Sequence, residues 1–105
     1  MKFIITESKL TNLVFDYLDS LDLYMVEDRE DYYFWESKKS WKSGEYVLIS
    51  VHRSHNDGFI SSNLLVEVSS FFSLELDDSL DIIGDWVRTK INTDVYKFYS
   101  DYGAD

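Results

Sequence analysis

The sequence predicts an α+β domain: a small antiparallel sheet, built as a meander, with two to three helices packed on one face. Three observations carry that prediction. Apolar residues recur at helical spacing near the beginning and again beyond residue 77. Between those stretches they alternate at strand spacing, and the segments are separated by turn-forming residues rather than by linkers or repeats. The 105 residues fit one domain, 1–105. With 45% hydrophobic and 17% aromatic residues the chain has the material for a core, which argues against disorder.

The elements follow in order. Residues 2–5 are short, apolar and β-branched, and read as an opening strand. Thr6 can cap the helix after it, with Glu7 complementing the helix dipole. Leu10, Leu13, Val14, Tyr17, Leu18 and Leu21 share one helical face, while Asn12, Asp16 and Asp19 occupy the other. Leu23 to Val26 is a short strand, Glu27 to Glu30 a polar turn, and Asp31 to Glu36 an aromatic strand. Ser37 to Gly44 reads as a polar connection. Glu45 to Arg53 is the strongest strand signal, with Val47, Ile49 and Val51 on one face and Tyr46, Leu48, Ser50 and His52 on the other. Asn56-Asp57-Gly58 is a turn in which Gly58 supplies positive φ, and Phe59-Ile60 resumes a partner strand.

Residues 61–73 fit two periods. Leu64, Val66 and Val68 alternate as in a strand, whereas Leu64, Val68, Phe71 and Phe72 share a helical face. Ser61, Ser62 and Asn63 supply caps, so the expectation is a helix. Asp77 and Asp78 cap a further helix reaching about Asn92, with Ile82, Ile83, Trp86, Val87 and Ile91 as its apolar face. Asp94 to Ser100 alternates as a last strand, and Asp101 to Asp105 is a tail.

Twenty acidic against ten basic residues give a net charge of −10. Such a charge repels nucleic-acid backbones and anionic membranes, so direct binding to either is not expected. The absence of Cys excludes disulfides and thiolate metal sites. The opening residues show no signal peptide, and no apolar run approaches membrane-spanning length, so a cytoplasmic location is expected.

The stretch Lys2-Phe3-Ile4-Ile5-Thr6-Glu7-Ser8-Lys9-Leu10 resembles the openings of small uncharacterised proteins of tailed bacteriophages, which often begin with a variant of M-K-x-I-I-T-E-x-x-L. Ser70-Phe71-Phe72-Ser73-Leu74 and Ile83-Gly84-Asp85-Trp86-Val87 also look like that group. The resemblance implies a phage product made in a bacterial cytoplasm. It implies no activity.

The residue clusters point toward binding rather than chemistry. Tyr32, Tyr33, Phe34 and Trp35 put large rings on both faces of one strand, and Trp41 stands in a polar segment beside them. The expected partner-binding residues are Tyr32, Phe34, Trp35 and Trp41, with Asp28, Glu30 and Asp31 as a rim that steers a basic protein. Self-association through the same patch is a further option. The alternative is a surface imitating the phosphates of DNA, carried by Asp16, Asp19, Asp22, Asp77, Asp78, Asp81 and Asp85. A metal-dependent or acid/base enzyme is a third reading. Its only general-acid candidate is Glu67, within an apolar stretch. His52 and His55, three apart on an extended strand, would face opposite ways unless the turn curls them together. No phosphate-binding glycine loop or nucleophile motif is present, so neither cofactor nor metal is expected. Lys38, Lys39 and Lys42 around Trp41 read as a charged connection.

Overall fold

The computed structural model describes residues 7–92, 95 and 97–100. The expected strand at 2–5, the Thr6 cap and the tail from Asp101 fall outside them.

Helix α1 (Glu7–Ser20) follows its predicted period: Val14 and Leu18 are fully buried, and Leu10, Tyr17 and Leu21 pack against the core. Leu13, at the margin of that face, stays exposed. Strands β1 (Tyr24–Asp28) and β2 (Asp31–Trp35) form an antiparallel hairpin whose turn places Arg29 at φ 61°. The connection expected to be irregular contains a five-residue helix, α2 (Lys38–Lys42). Ser37 nucleates it by accepting a hydrogen bond from the Ser40 amide at 3.2 Å.

Strand β3 (Ile49–His52) is shorter than its sequence signal. Leu48 just before it still bonds on both sides, its amide donating to the Phe34 carbonyl at 2.8 Å and its carbonyl accepting from the Ser61 amide at 2.7 Å, while the Trp35 indole Nε1 donates to the Glu45 carbonyl at 2.9 Å. Strand β4 (Asp57–Ile60) completes the four-strand meander. The β3–β4 turn covers 53–56, and its positive-φ residue is Asn56 (φ 57°), not Gly58 as expected.

Helix α3 (Ser62–Phe72) resolves the ambiguous segment. Ser61 caps its start, and the chain leaves it through Ser73 in the left-handed conformation (φ 56°). Helix α4 (Leu76–Lys90) differs from expectation at its start. Glu75 holds the N-cap position without a side-chain cap bond, and Asp77 and Asp78 lie in the first turn, where their charge faces the positive end of the helix dipole. Strand β5 (Lys97–Ser100) pairs with β4 in parallel, so the five-stranded sheet, order β1-β2-β3-β4-β5, is mixed rather than wholly antiparallel. The helical pair α3–α4 is the crossover that returns the chain in the same direction.

Two rows of residues on one sheet face meet the helices. Tyr32, Val51, Gly58 and Phe98 stand in register, and so do Phe34, Ile49 and Ile60. They close on Val14, Leu18, Leu64, Leu65, Val68, Ile83, Trp86 and Val87. Phe98 lies between two glycines: a Cβ at Gly58 would stand 2.4 Å from its Cε1, and one at Gly84 would stand 2.7 Å from its Cδ2. Between α3 and α4 the buried Ser69 hydroxyl donates to that of Ser79 at 2.7 Å. That bond removes the cost of leaving either group unpaired.

Candidate functional site

Strand alternation turns the remaining side chains of the sheet away from the helices. Two rows in register cross this second face. One runs Val26, Tyr33, Ser50, Phe59, Tyr99; the other runs Asp28, Asp31, His52, Asp57, Lys97. A third begins with Tyr24 opposite Trp35, and the Trp41 ring of α2 lies 5.6 Å from that of Tyr24. The Tyr33 ring is 5.9 Å from Trp35 and 6.2 Å from His52. The result is a broad aromatic surface bordered by charge. Tyr24, Val26, Tyr33, Trp35 and Phe59 are half-buried, and Tyr99 remains 47% exposed. At the β3–β5 end the face dips into an open trough of about 500 Å³ lined by Ser50, His52, Asp57, Phe59 and Tyr99.

The charged border is organised locally. The Asp31 carboxylate stands 3.6 Å from His52 Nδ1 and accepts from the Tyr33 hydroxyl at 3.5 Å. Asp28 lies directly across the ladder from Asp31, placing two carboxylates opposite each other. Burial, followed by the nearby charges of Asp31 and Asp28, raises the Tyr33 phenol above its ordinary pKa.

The predicted partner-binding residues separate. Trp35 and Asp31 lie on the open face, with Asp28 and the exposed turn residue Glu30 at its corner. Trp41 is 38% exposed at the opposite end, its ring against Tyr24. Tyr32 and Phe34 were expected to join this patch, but they point into the core, at 9% and 2% exposure. The Tyr32 hydroxyl reaches only the end of the sheet, where it accepts from Arg53 Nη1 at 3.3 Å and where its bond to Glu27 raises its pKa. Strand parity decides this: the two buried residues share one face and Tyr33 and Trp35 the other. The residues that sequence reasoning left out of the site are Tyr24, Tyr33, Phe59 and Tyr99. The one signal available for them was alternation against the apolar set Val47, Ile49 and Val51, which fixes the face but not the pairing of strands.

The carboxylates of the DNA-mimic alternative are spread over two helices and the loop after α1, and two of them are engaged. Asp19 accepts from Trp86 Nε1 and from Lys90 Nζ, both at 3.0 Å, and these two bonds, that to Lys90 foremost, hold its carboxyl below the ordinary aspartate pKa. Asp85 pairs with Arg88 at 2.6 Å. Asp22 lines a cleft with Asp19 and Lys90, Asp78 and Asp81 line another with Leu10 and Leu74, and Asp16 and Asp77 are exposed. Asp77, Asp81 and Asp85 step up α4 by about 6 Å each, close to twice the axial spacing of phosphates along a DNA strand.

The 53–56 turn does curl the two histidines together, with ring centroids 6.3 Å apart. Among the described residues, however, no three His, Asp or Glu side chains form a group that could hold a metal ion. Glu67 is exposed; it bonds the Tyr17 hydroxyl, whose pKa burial raises first and Glu67 second. It also borders a cleft of about 320 Å³ with Leu21, Leu48, Tyr46 and Asn63. A second apolar patch lies on the helical layer, where the 67% exposed Phe71 stacks on Tyr17 at 4.9 Å. Among the described residues no helix is long and apolar enough to cross a membrane. No protein-family model, curated protein or solved structure matches this chain.

Proposed function

We propose that this protein is a non-enzymatic binding module that holds another protein against the sheet face turned away from its helices. The resemblance of residues 2–10 to phage proteins supports reading it as an accessory protein that acts in a bacterial cytoplasm. The observation that carries the reading is the register of Val26, Tyr33, Ser50, Phe59 and Tyr99, beside Tyr24, Trp35 and Trp41. Large rings held on strands lose little entropy on binding and supply the buried area that interface centres use. The carboxylates of Asp28, Glu30 and Asp31, on a chain of net charge −10, favour a basic partner and speed its approach. They also disfavour a second copy of the same chain.

The DNA-mimic alternative has less support. Its carboxylates are divided between α1, the loop after it and α4, and Asp19 and Asp85 are already paired with Lys90 and Arg88.

The test is affinity capture from bacterial lysate with the wild-type chain and with Tyr33→Thr/Phe59→Thr. Threonine keeps strand propensity while removing both rings. The expected result is a basic protein retained by the wild type and lost by the variant, with circular dichroism showing both folded. Equal retention by the two would overturn the reading. So would retention that instead depends on Asp77, Asp78 and Asp81, which would favour mimicry.

A further inference from the structure

Charge on the open face is uneven along the strands. Lys38, Lys39 and Lys42 of α2 stand at the Trp35 and Trp41 end. At the other end the β1–β2 turn brings together Asp28, Glu30 and Asp31, offset in part by Arg29 within the turn. Across the sheet the same row ends in Lys97, directly opposite Asp57, with Nζ 5.1 Å from the centroid of the Tyr99 ring. Thus the β5 end already has a cation lying on a ring beside a carboxylate. The β1–β2 end has the ring (Tyr33) and the carboxylates (Asp31 and Asp28), where Asp31 stands 3.6 Å from His52 Nδ1 and accepts from the Tyr33 hydroxyl at 3.5 Å.

Asp28 opposite Asp31 costs stability, because like charges facing each other across a ladder repel. An incoming cation would relieve that repulsion. On one strand, same-face residues are separated by about 6.8 Å. A planar cation lying on Tyr33 therefore has its edge within reach of the Asp31 carboxylate. That geometry suits a guanidinium, which can stack on a ring while its N–H groups donate in plane to a carboxylate. An ammonium group is more strongly hydrated and has no plane to stack.

From this we infer that the Tyr33–Asp31–Asp28 corner recognises an arginine of the partner, so that the occupant of the face is an arginine-bearing segment of another protein. The inference rests on the proposed binding role of the face and adds the chemistry of its partner.

Fluorescence titration with capped hexa-arginine and hexalysine peptides at equal ionic strength tests it. Hexa-arginine is expected to bind about tenfold more tightly than hexalysine. Tyr33→Thr and Asp31→Asn should each remove most of that preference, and Tyr33→Phe, which keeps the ring, should retain it. Asp77→Asn/Asp78→Asn on α4 should leave it within about twofold, because those charges lie off the face. Equal affinity for the two peptides, or a preference that survives Tyr33→Thr, overturns the arginine assignment. If lysate capture still depends on Tyr33 and Phe59 in that case, the binding role of the face stands and only its partner chemistry falls. If both fail, the face itself is not the site.

Discussion

Replacing Gly58 by alanine should destabilise the protein by about 2 kcal/mol, within the range for overpacking a filled core. The new methyl would stand 2.4 Å from Phe98 Cε1 and 2.6 Å from Cδ1. Carbon atoms in contact prefer about 3.5–4.0 Å, so something must move by more than an ångström. The ring has little room to do so. Its other edge faces Gly84, and the Arg88 guanidinium lies 5.1 Å from its centroid. Arg88 is itself anchored by donating from Nε to the Val95 carbonyl at 2.7 Å. Unfolding entropy for a chain this size is about 220 cal/mol/K, so 2 kcal/mol corresponds to a fall in Tm of about 9 °C. Urea unfolding followed by tryptophan fluorescence, with a thermal melt by circular dichroism, measures both quantities. Phe98→Leu supplies the control, since a smaller, more pliable side chain leaves space for the methyl. In a double-mutant cycle Gly58→Ala and Phe98→Leu should couple by at least about 1 kcal/mol. A Gly58→Ala protein within about 0.5 kcal/mol of wild type, or additive effects in the cycle, would refute the argument that Gly58 is there to admit the ring.

Two further outcomes follow from polar contacts. Ser79→Ala leaves the buried Ser69 hydroxyl without the partner it now has at 2.7 Å and should cost about 1–2 kcal/mol by urea unfolding, while Ser69→Ala/Ser79→Ala should recover part of that loss. Asp19, whose folded pKa is lowered by Lys90 and Trp86, contributes stability that is complete above the unfolded aspartate value of about 3.9 and is lost as pH falls through the lower folded value. Because this pair is solvent-exposed the contribution should stay below about 1 kcal/mol and shrink with added salt. Asp19→Asn should therefore flatten the acid limb of the stability–pH curve measured from pH 5 downward, and an unchanged limb would show that the bonds contribute nothing.

The helical half of this fold was easier to read than its sheet. In α1 and α4 the apolar period is long enough to fix both the element and its buried face, so Val14, Leu18, Ile83, Trp86 and Val87 occur where the pattern puts them. Ser61 likewise tipped residues 61–73 toward the helix observed as α3. Strand ends were less legible because they are decided by distant partners. The approach of Phe98, not turn geometry, accounts for Gly58. The parallel pairing of β5 had no local signal at all. The aromatic run Tyr32 to Trp35 showed that rings must lie on both faces of one strand, but period alone could not say which face met the helices. Hence Tyr32, Phe34 and Trp35 were grouped in one patch, although Tyr32 and Phe34 lie on the opposite face of the strand from Trp35. The alignment of Phe59 and Tyr99 with Tyr33 had no local mark, since only strand order sets it.

The pairing of β5 with β4 across two intervening helices has a kinetic consequence. The β1–β2 and β3–β4 hairpins close short turns and can form early, whereas the fifth strand must wait until α3 and α4 have folded back over the sheet. Amide protons along Lys97–Ser100 should then exchange through smaller openings than those of β2 and β3, making this strand the first ladder to detach under mild denaturant. Until it arrives, the space between Gly58 and Gly84 has no ring to fill it, and the interior stays open to water.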